Sequence, residues 1–155
     1  HDLIDALFSR GREDDLLRIV RKAEVLGSFL ETDDGSNLLT AYRRANNIVQ
    51  IEEKKDGQLY NSLPSGNFQQ DEEKALWKAL EEARQTSGPG QEITDFENAV
   101  KALAGLRKPV DAYFDHVTVN CDDSELRVER LKTLSQITAT MNNVADFSWI
   151  EGDER

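Results

Sequence analysis

A chain of 155 residues with 38% hydrophobic and 32% charged side chains can bury one core of its own and is too evenly balanced for a disordered or membrane-spanning polypeptide. Thirty acidic against nineteen basic residues leave a net charge of −11, which by itself favours a protein partner over a nucleic acid. With Cys121 the single cysteine there is no internal disulfide, and a cytoplasmic setting is the default expectation.

No apolar run approaches the roughly 20 residues that cross a bilayer. The opening HDLIDALF has neither the basic start nor the apolar stretch of a signal peptide. A beginning at His1 rather than Met reads as a single domain, residues 1–155, belonging to a larger subunit.

Leu3, Ile4, Leu7 and Phe8 predict a first helix ended by Gly11. A second starts at Asp14 or Asp15 and places Leu16, Leu17, Val20, Ala23, Leu26 and Leu30 on one side. Thr32-Asp33-Asp34-Gly35-Ser36-Asn37 reads as a turn holding several possible N-caps. The third helix carries Leu38, Ala41, Tyr42, Ala45, Ile48, Val49 and Glu52 at spacings of three and four and ends at Asp56-Gly57. Residues 56–70 form the longest expected loop. The fourth helix starts near Asp71, turns Ala75, Leu76, Ala79, Leu80 and Ala83 inward, and stops at Ser87-Gly88-Pro89-Gly90. The fifth covers about 92–106 with Phe96, Ala99, Val100 and Leu103. Pro109 opens the sixth, whose stripe is Val110, Tyr113, Phe114 and Val117. Asp122 with Glu125 resembles a capping box for the seventh, which buries Leu126, Leu131, Leu134, Ile137, Met141 and Val144. HVTVN at 116–120 is the one strand-like run and is too short to pair. Short connections between such elements predict an all-α antiparallel bundle of about seven helices.

Catalytic constellations are missing: no glycine-rich phosphate loop, no HExxH, no CxxC pair and no G-x-S-x-G. His116 and Cys121, with Asp115, Asp122 and Asp123 nearby, supply too few nitrogen and sulfur donors for a zinc site and read as a capping cluster around a tight turn. Glu72, Glu73, Glu81 and Glu82 read as a solvated helix face rather than as paired catalytic carboxylates. The expectation is a domain without catalytic residues, metal or cofactor.

Two stretches carry a resemblance. Residues 107–123, RKPVDAYFDHVTVNCDD, are similar to the PVDAFFDxVMVNADD signature near the end of glycyl-tRNA synthetase beta subunits. The likeness continues through Leu126-Arg127 and Arg130-Leu131 to Val144-Ala145-Asp146-Phe147-Ser148. Leu38 to Lys55, LLTAYRRANNIVQIEEKK, resembles the same family's LLxxYKRAxNIL, and Asp2 to Ala6 resembles its DxIDA. The chain departs from the pattern at Thr118 (Met in the family), Cys121 (Ala), Glu129 (Asn) and Trp149 (Arg), and residues 56–70 match only loosely. The resemblance implies an all-α anticodon-binding domain of the type shared with arginyl-tRNA synthetases. It also implies tRNA for glycine as ligand, and as partners the rest of the beta subunit and an alpha subunit that activates glycine with ATP. Neither DNA nor a membrane is implied.

RNA is held by Arg and Lys on phosphates and by amides on exposed base edges. On the third helix Arg43, Asn47, Gln50 and Lys54 share a face opposite the apolar stripe, flanked by Arg44, Asn46 and Lys55, with no acidic residue between Asp34 and Glu52. Charge is distributed to match: residues 1–55 carry nine bases and eleven acids, a balance of −2, against ten and nineteen, or −9, in residues 56–155. A second candidate group is Arg107 and Lys108 with Arg127 and Arg130; the last two could instead pair with Asp123, Glu125 or Glu129. Tyr60, Phe68 and Trp149 fall where stacking on a base is possible, whereas Tyr42, Trp77, Tyr113 and Phe114 fall at core spacing. The competing reading is a helical protein-interaction module that buttresses a synthetase without touching RNA.

Overall fold

The computed structural model describes residues 16–86, 93–145 and 147. Six helices and no strand occur among them: α1 (Leu16–Leu30), α2 (Asp33–Asp56), α3 (Asp71–Thr86), α4 (Ile93–Ala104), α5 (Arg107–His116) and α6 (Ser124–Asn142). The helix expected over Leu3–Phe8 and the Ser87–Gly90 stop lie outside the described residues. No helix among the described residues is long and apolar enough to cross a membrane.

The expected stripe of α1 is displaced. Leu17 and Val20 are exposed, while Ile19, Leu26 and Phe29 are buried. The expected turn at residues 33–37 is instead the first turn of α2. Thr32 is its N-cap: the hydroxyl accepts from the Gly35 amide at 3.0 Å and donates to the Phe29 carbonyl at 2.6 Å, so one side chain ties the end of α1 to the start of α2. Asp33 and Asp34 then lie in the positive first turn, with Lys54 and Lys55 in the negative last one. Gly57 ends the helix at φ 69°, a left-handed conformation that glycine adopts without a Cβ penalty, and its amide donates to the Glu53 carbonyl. For α6 the cap is Asp123 rather than Asp122; its Oδ1 accepts from the amides of Glu125 and Leu126.

Helix α6 is buried around most of its circumference, with Leu131, Leu134, Ile137 and Met141 in the core and Thr133, Gln136 and Thr140 also covered. It packs on α2 and α3, while α1 lies on α2 and α4, and α5 on α2 and α3. Leu38, Ala45, Leu76, Leu80, Leu103, Val110 and Tyr113 from the surrounding helices close the same cluster.

The bundle is mixed rather than uniformly antiparallel. Tyr42 bonds Asn142 and Arg127 bonds Glu52 and Asp56, so α2 and α6 run in opposite senses. Asp34 meets Arg107 and Arg44 meets Phe114, so α2 and α5 run the same way. The pairs Glu73–Arg130 and Arg84–Gln136 give α3 and α6 the same sense too. Short connections fix only consecutive helices, and these parallel pairs are separated by at least one intervening helix.

Candidate nucleic-acid interface

Helix α2 touches α1, α4, α5 and α6, and those contacts consume the side that carries Leu38, Ala41, Tyr42, Ala45 and Val49. At 3.6 residues per turn the opposite strip belongs to Arg43, Asn47, Gln50 and Lys54. Asn47, Gln50 and Lys54 are exposed there and Arg43 is half-buried. Arg44, on the flank, is exposed and lies with its guanidinium 4.3 Å from the centre of the Phe114 ring on α5. A cation held over a ring keeps its charge toward solvent in a restricted orientation. Asn46 is half-buried, and Lys55 is exposed with its amine 3.9 Å from Glu52.

The second candidate group separates. Lys108 is exposed. Arg107 is held by Asp34 at 3.2 Å and Asp111 at 3.3 Å, carboxylates that raise its pKa, the Asp34 bond contributing most. Arg127 is drawn onto Asp56 at 2.6 Å and onto Glu52, and sits 5.9 Å from the Tyr60 ring; Asp56 and Glu52 push its pKa far up. Asp56 is held low in turn, first by Arg127 and then by the Tyr60 hydroxyl. Arg127 therefore fastens the 57–60 segment and the end of α2 to α6.

Arg130, expected among the RNA contacts, is buried instead. It is 5% exposed, and its guanidinium is engaged by Glu73 at 3.1 Å, the Thr118 carbonyl at 2.7 Å and the Gln70 side chain at 3.3 Å. So deeply covered and so engaged, the guanidinium is not presented to a phosphate. Glu73, expected on a solvated face, is 1% exposed and also accepts from the amides of Gln69 and Gln70, capping the start of α3. Burial works against its charge, but the Arg130 and backbone bonds outweigh it and leave the carboxyl below its ordinary value. Glu73 thus plays the N3 half of a capping box, but with Gln70 in place of Ser or Thr the sequence signal is incomplete. The carboxylates on Arg127 and Arg130 are Glu52, Asp56 and Glu73, from helices distant in sequence, not the nearby Asp123, Glu125 or Glu129. Glu129 is itself used by the amides of Ser65 and Gly66, so it pins the long loop to α6.

Tyr60, expected where a base could stack, is instead 2% exposed, its hydroxyl donates to Asp56, and it offers no face to a base. Phe68 packs on Trp77 at 6.3 Å, with Arg84 against the other ring. Trp149 lies outside the described residues. His116 is exposed, Cys121 half-buried, and no group of three or more His, Cys, Asp or Glu among the described residues is placed to hold a metal.

The exposed residues of this helix are Asn47, Gln50 and Lys54 on the strip and the ring-supported Arg44 on its flank. Residues 38–147 match the family model described as the DALR anticodon binding domain. The chain is 49% identical over 154 residues to the glycine–tRNA ligase beta subunit of Rhodospirillum centenum, covering 98% of the chain and 22% of that protein. It is 46% identical to the beta subunit of Cereibacter sphaeroides over 153 residues (98% and 22%) and 46% to that of Phenylobacterium zucineum over 157 residues (98% and 23%). The chain thus spans less than a quarter of the length of these relatives. An all-helical fold and a family match covering residues 38–147 place this chain in the DALR anticodon-binding domain family.

Proposed function

We propose that the chain is the anticodon-binding domain of a glycine–tRNA ligase beta subunit, and that it holds the anticodon arm of tRNA for glycine along the outward face of α2. Chemistry, with its ATP, is left to the rest of the synthetase and its alpha subunit. The observation that carries this reading is the division among the candidate cations. Arg107, Arg127 and Arg130 are bound to carboxylates of the fold, whereas Arg44, Asn47, Gln50 and Lys54 on α2, together with Lys108, are exposed. A net charge of −11 is compatible with RNA binding because attraction depends on the local potential, and α2 carries no acid between Asp34 and Glu52.

Titration of tRNA for glycine against Arg43→Glu/Arg44→Glu in the full-length subunit tests the reading. Two charge reversals at phosphate contacts should weaken binding by about a hundredfold at low salt and flatten the slope of log affinity against log salt. Binding equal to wild type at every salt concentration would overturn it.

A further inference from the structure

Between residues 65–69 and the first turns of α6 runs an open cleft of about 640 Å³, lined by no residue of the α2 strip. Ser65, Asn67 and Gln69 form one wall, and Asp123, Glu125 and Glu129 line the helix side. Three carboxylates thus border one space that neither lysine nor arginine lines. The nearest cations of α6 are spent elsewhere, Arg127 on Glu52 and Asp56, and Arg130 on Glu73.

Glu129 makes the cleft more than an acidic surface. It is 7% exposed, and its Oε1 accepts from the Ser65 and Gly66 amides, which fixes the loop wall to α6. Its Oε2 has no hydrogen-bond partner among the described residues. Nor is that oxygen sealed in: among the described residues only the Thr140 hydroxyl is both buried and unpartnered, so Oε2 is reached from the cleft. Burying a carboxylate costs free energy that an opposite charge offsets. Asp123 likewise gives Oδ1 to its helix cap and keeps Oδ2. The half-buried Leu126 and Val128 add apolar surface to the lining. Carboxylate oxygens beside an apolar wall suit a guanidinium on its methylene stem, a permanent charge with five donors and no acceptor. The same carboxylates repel phosphates.

We infer that the cleft is a docking site for a basic segment of the subunit outside this domain, seated by an arginine whose guanidinium meets Glu129 Oε2. Two observations choose that occupant. The chain spans less than a quarter of the length of its relatives, so most of such a subunit lies outside it. Residues 56–155, which build the cleft, carry ten bases and nineteen acids, a balance of −9 that a basic surface complements. The docking rests on the chain being one domain of a beta subunit, as proposed above, and not on the α2 face.

A photo-cross-linking residue at Asn67, exposed on the loop wall, captures the occupant in the full-length subunit without RNA. The expected product is an intramolecular cross-link to one arginine-containing segment outside this domain. Glu129→Gln keeps an oxygen for the Ser65 and Gly66 amides, removes the charge, and should lower the yield about tenfold. Glu125→Lys, at an exposed side chain, makes the same test without touching the loop anchor. Replacing the mapped arginine by glutamate in Glu125→Lys should then restore the product. The inferred docking would be overturned by no product outside the domain, or by one on a segment without arginine, a second copy of the chain or another subunit. A yield that either substitution leaves unchanged would overturn it too. Loss of tRNA binding in Arg43→Glu/Arg44→Glu beside an absent cross-link keeps the α2 face and removes the cleft. The cross-link beside full tRNA binding by that double reversal does the opposite.

Discussion

Arg130→Met is expected to destabilise the domain by about 4 kcal/mol, because it strands the Glu73 carboxylate, 1% exposed, without its counter-ion. That is a large part of the roughly 5–15 kcal/mol that holds an ordinary domain together. The loss also frees the Thr118 carbonyl and the Gln70 side chain, which fix the segment between α5 and α6 and the start of α3 to one another. Tyr113, whose hydroxyl donates to the Arg130 carbonyl at 3.2 Å, packs beside the same group; burial pushes its phenol far up and Glu73 adds to the effect, so it stays neutral there. Adding Glu73→Gln to Arg130→Met should restore much of the loss, since glutamine keeps an oxygen for the Gln69 and Gln70 amides without burying a charge. The pH dependence has a definite sign. Glu73 is held below its ordinary value of 4.5, so the wild-type pair contributes fully above that pH and is lost as pH falls through the lowered value. In Arg130→Met the stranded carboxylate gains from protonation instead, so the stability gap between variant and wild type should narrow from pH 6 to pH 3. Denaturant unfolding at a series of pH values measures both; a gap under about 1 kcal/mol at pH 7 would contradict the account.

The second large effect is expected at Gly35. A Cβ there would stand 2.0 Å from the Phe29 carbonyl oxygen and 2.6 Å from its carbon, both backbone atoms at the end of α1. Gly35 needs no special dihedral; it is required because α1 and α2 touch backbone to backbone, an approach held by the two Thr32 bonds. Neither helix can withdraw without opening the contact around Phe29 and Leu38. Gly35→Ala should therefore cost on the order of 3 kcal/mol, the upper range for overpacking. A domain of this size then melts roughly 10 °C lower. The gain that alanine brings to an open helix position would appear instead, as a small rise in melting temperature, if the contact were loose.

These two sites also mark where the sequence stops being readable. Helical period located α2 to α6, since Leu38/Ala45/Val49 or Leu134/Ile137/Met141 repeat without interruption. It misplaced the stripe of α1, where apolar residues at 16, 17, 19 and 20 fit more than one face and only packing against α4 and α2 selects Ile19. It placed Gly35 in a turn, because a glycine tolerated by close packing looks the same as one required by a turn. Helix direction was overstated for the same reason: loop length constrains neighbours in sequence, whereas the α2–α5 and α3–α6 pairs are set by the global packing. The candidate strip on α2 followed from period alone, because a helix packed on one side must show the other. Which cations are spent within the fold did not follow, as the partners of Arg107, Arg127 and Arg130 include Asp34, Glu52 and Glu73, all more than 50 residues away in sequence. The turn that follows α2 depends on a backbone reversal at Gly57 and on Tyr60 being buried, and neither has a periodic signature.

The most direct measurement of the central claim is site-specific photo-cross-linking of tRNA for glycine from two helix faces of the full-length subunit. One probe replaces Asn47, in the middle of the α2 strip, and the other replaces Glu81, also an exposed position, on α3. Cross-links are expected from position 47, mapping to the anticodon arm and lost on raising salt, with none from position 81. Cross-links from position 81 alone, or equal yields from both, would contradict it.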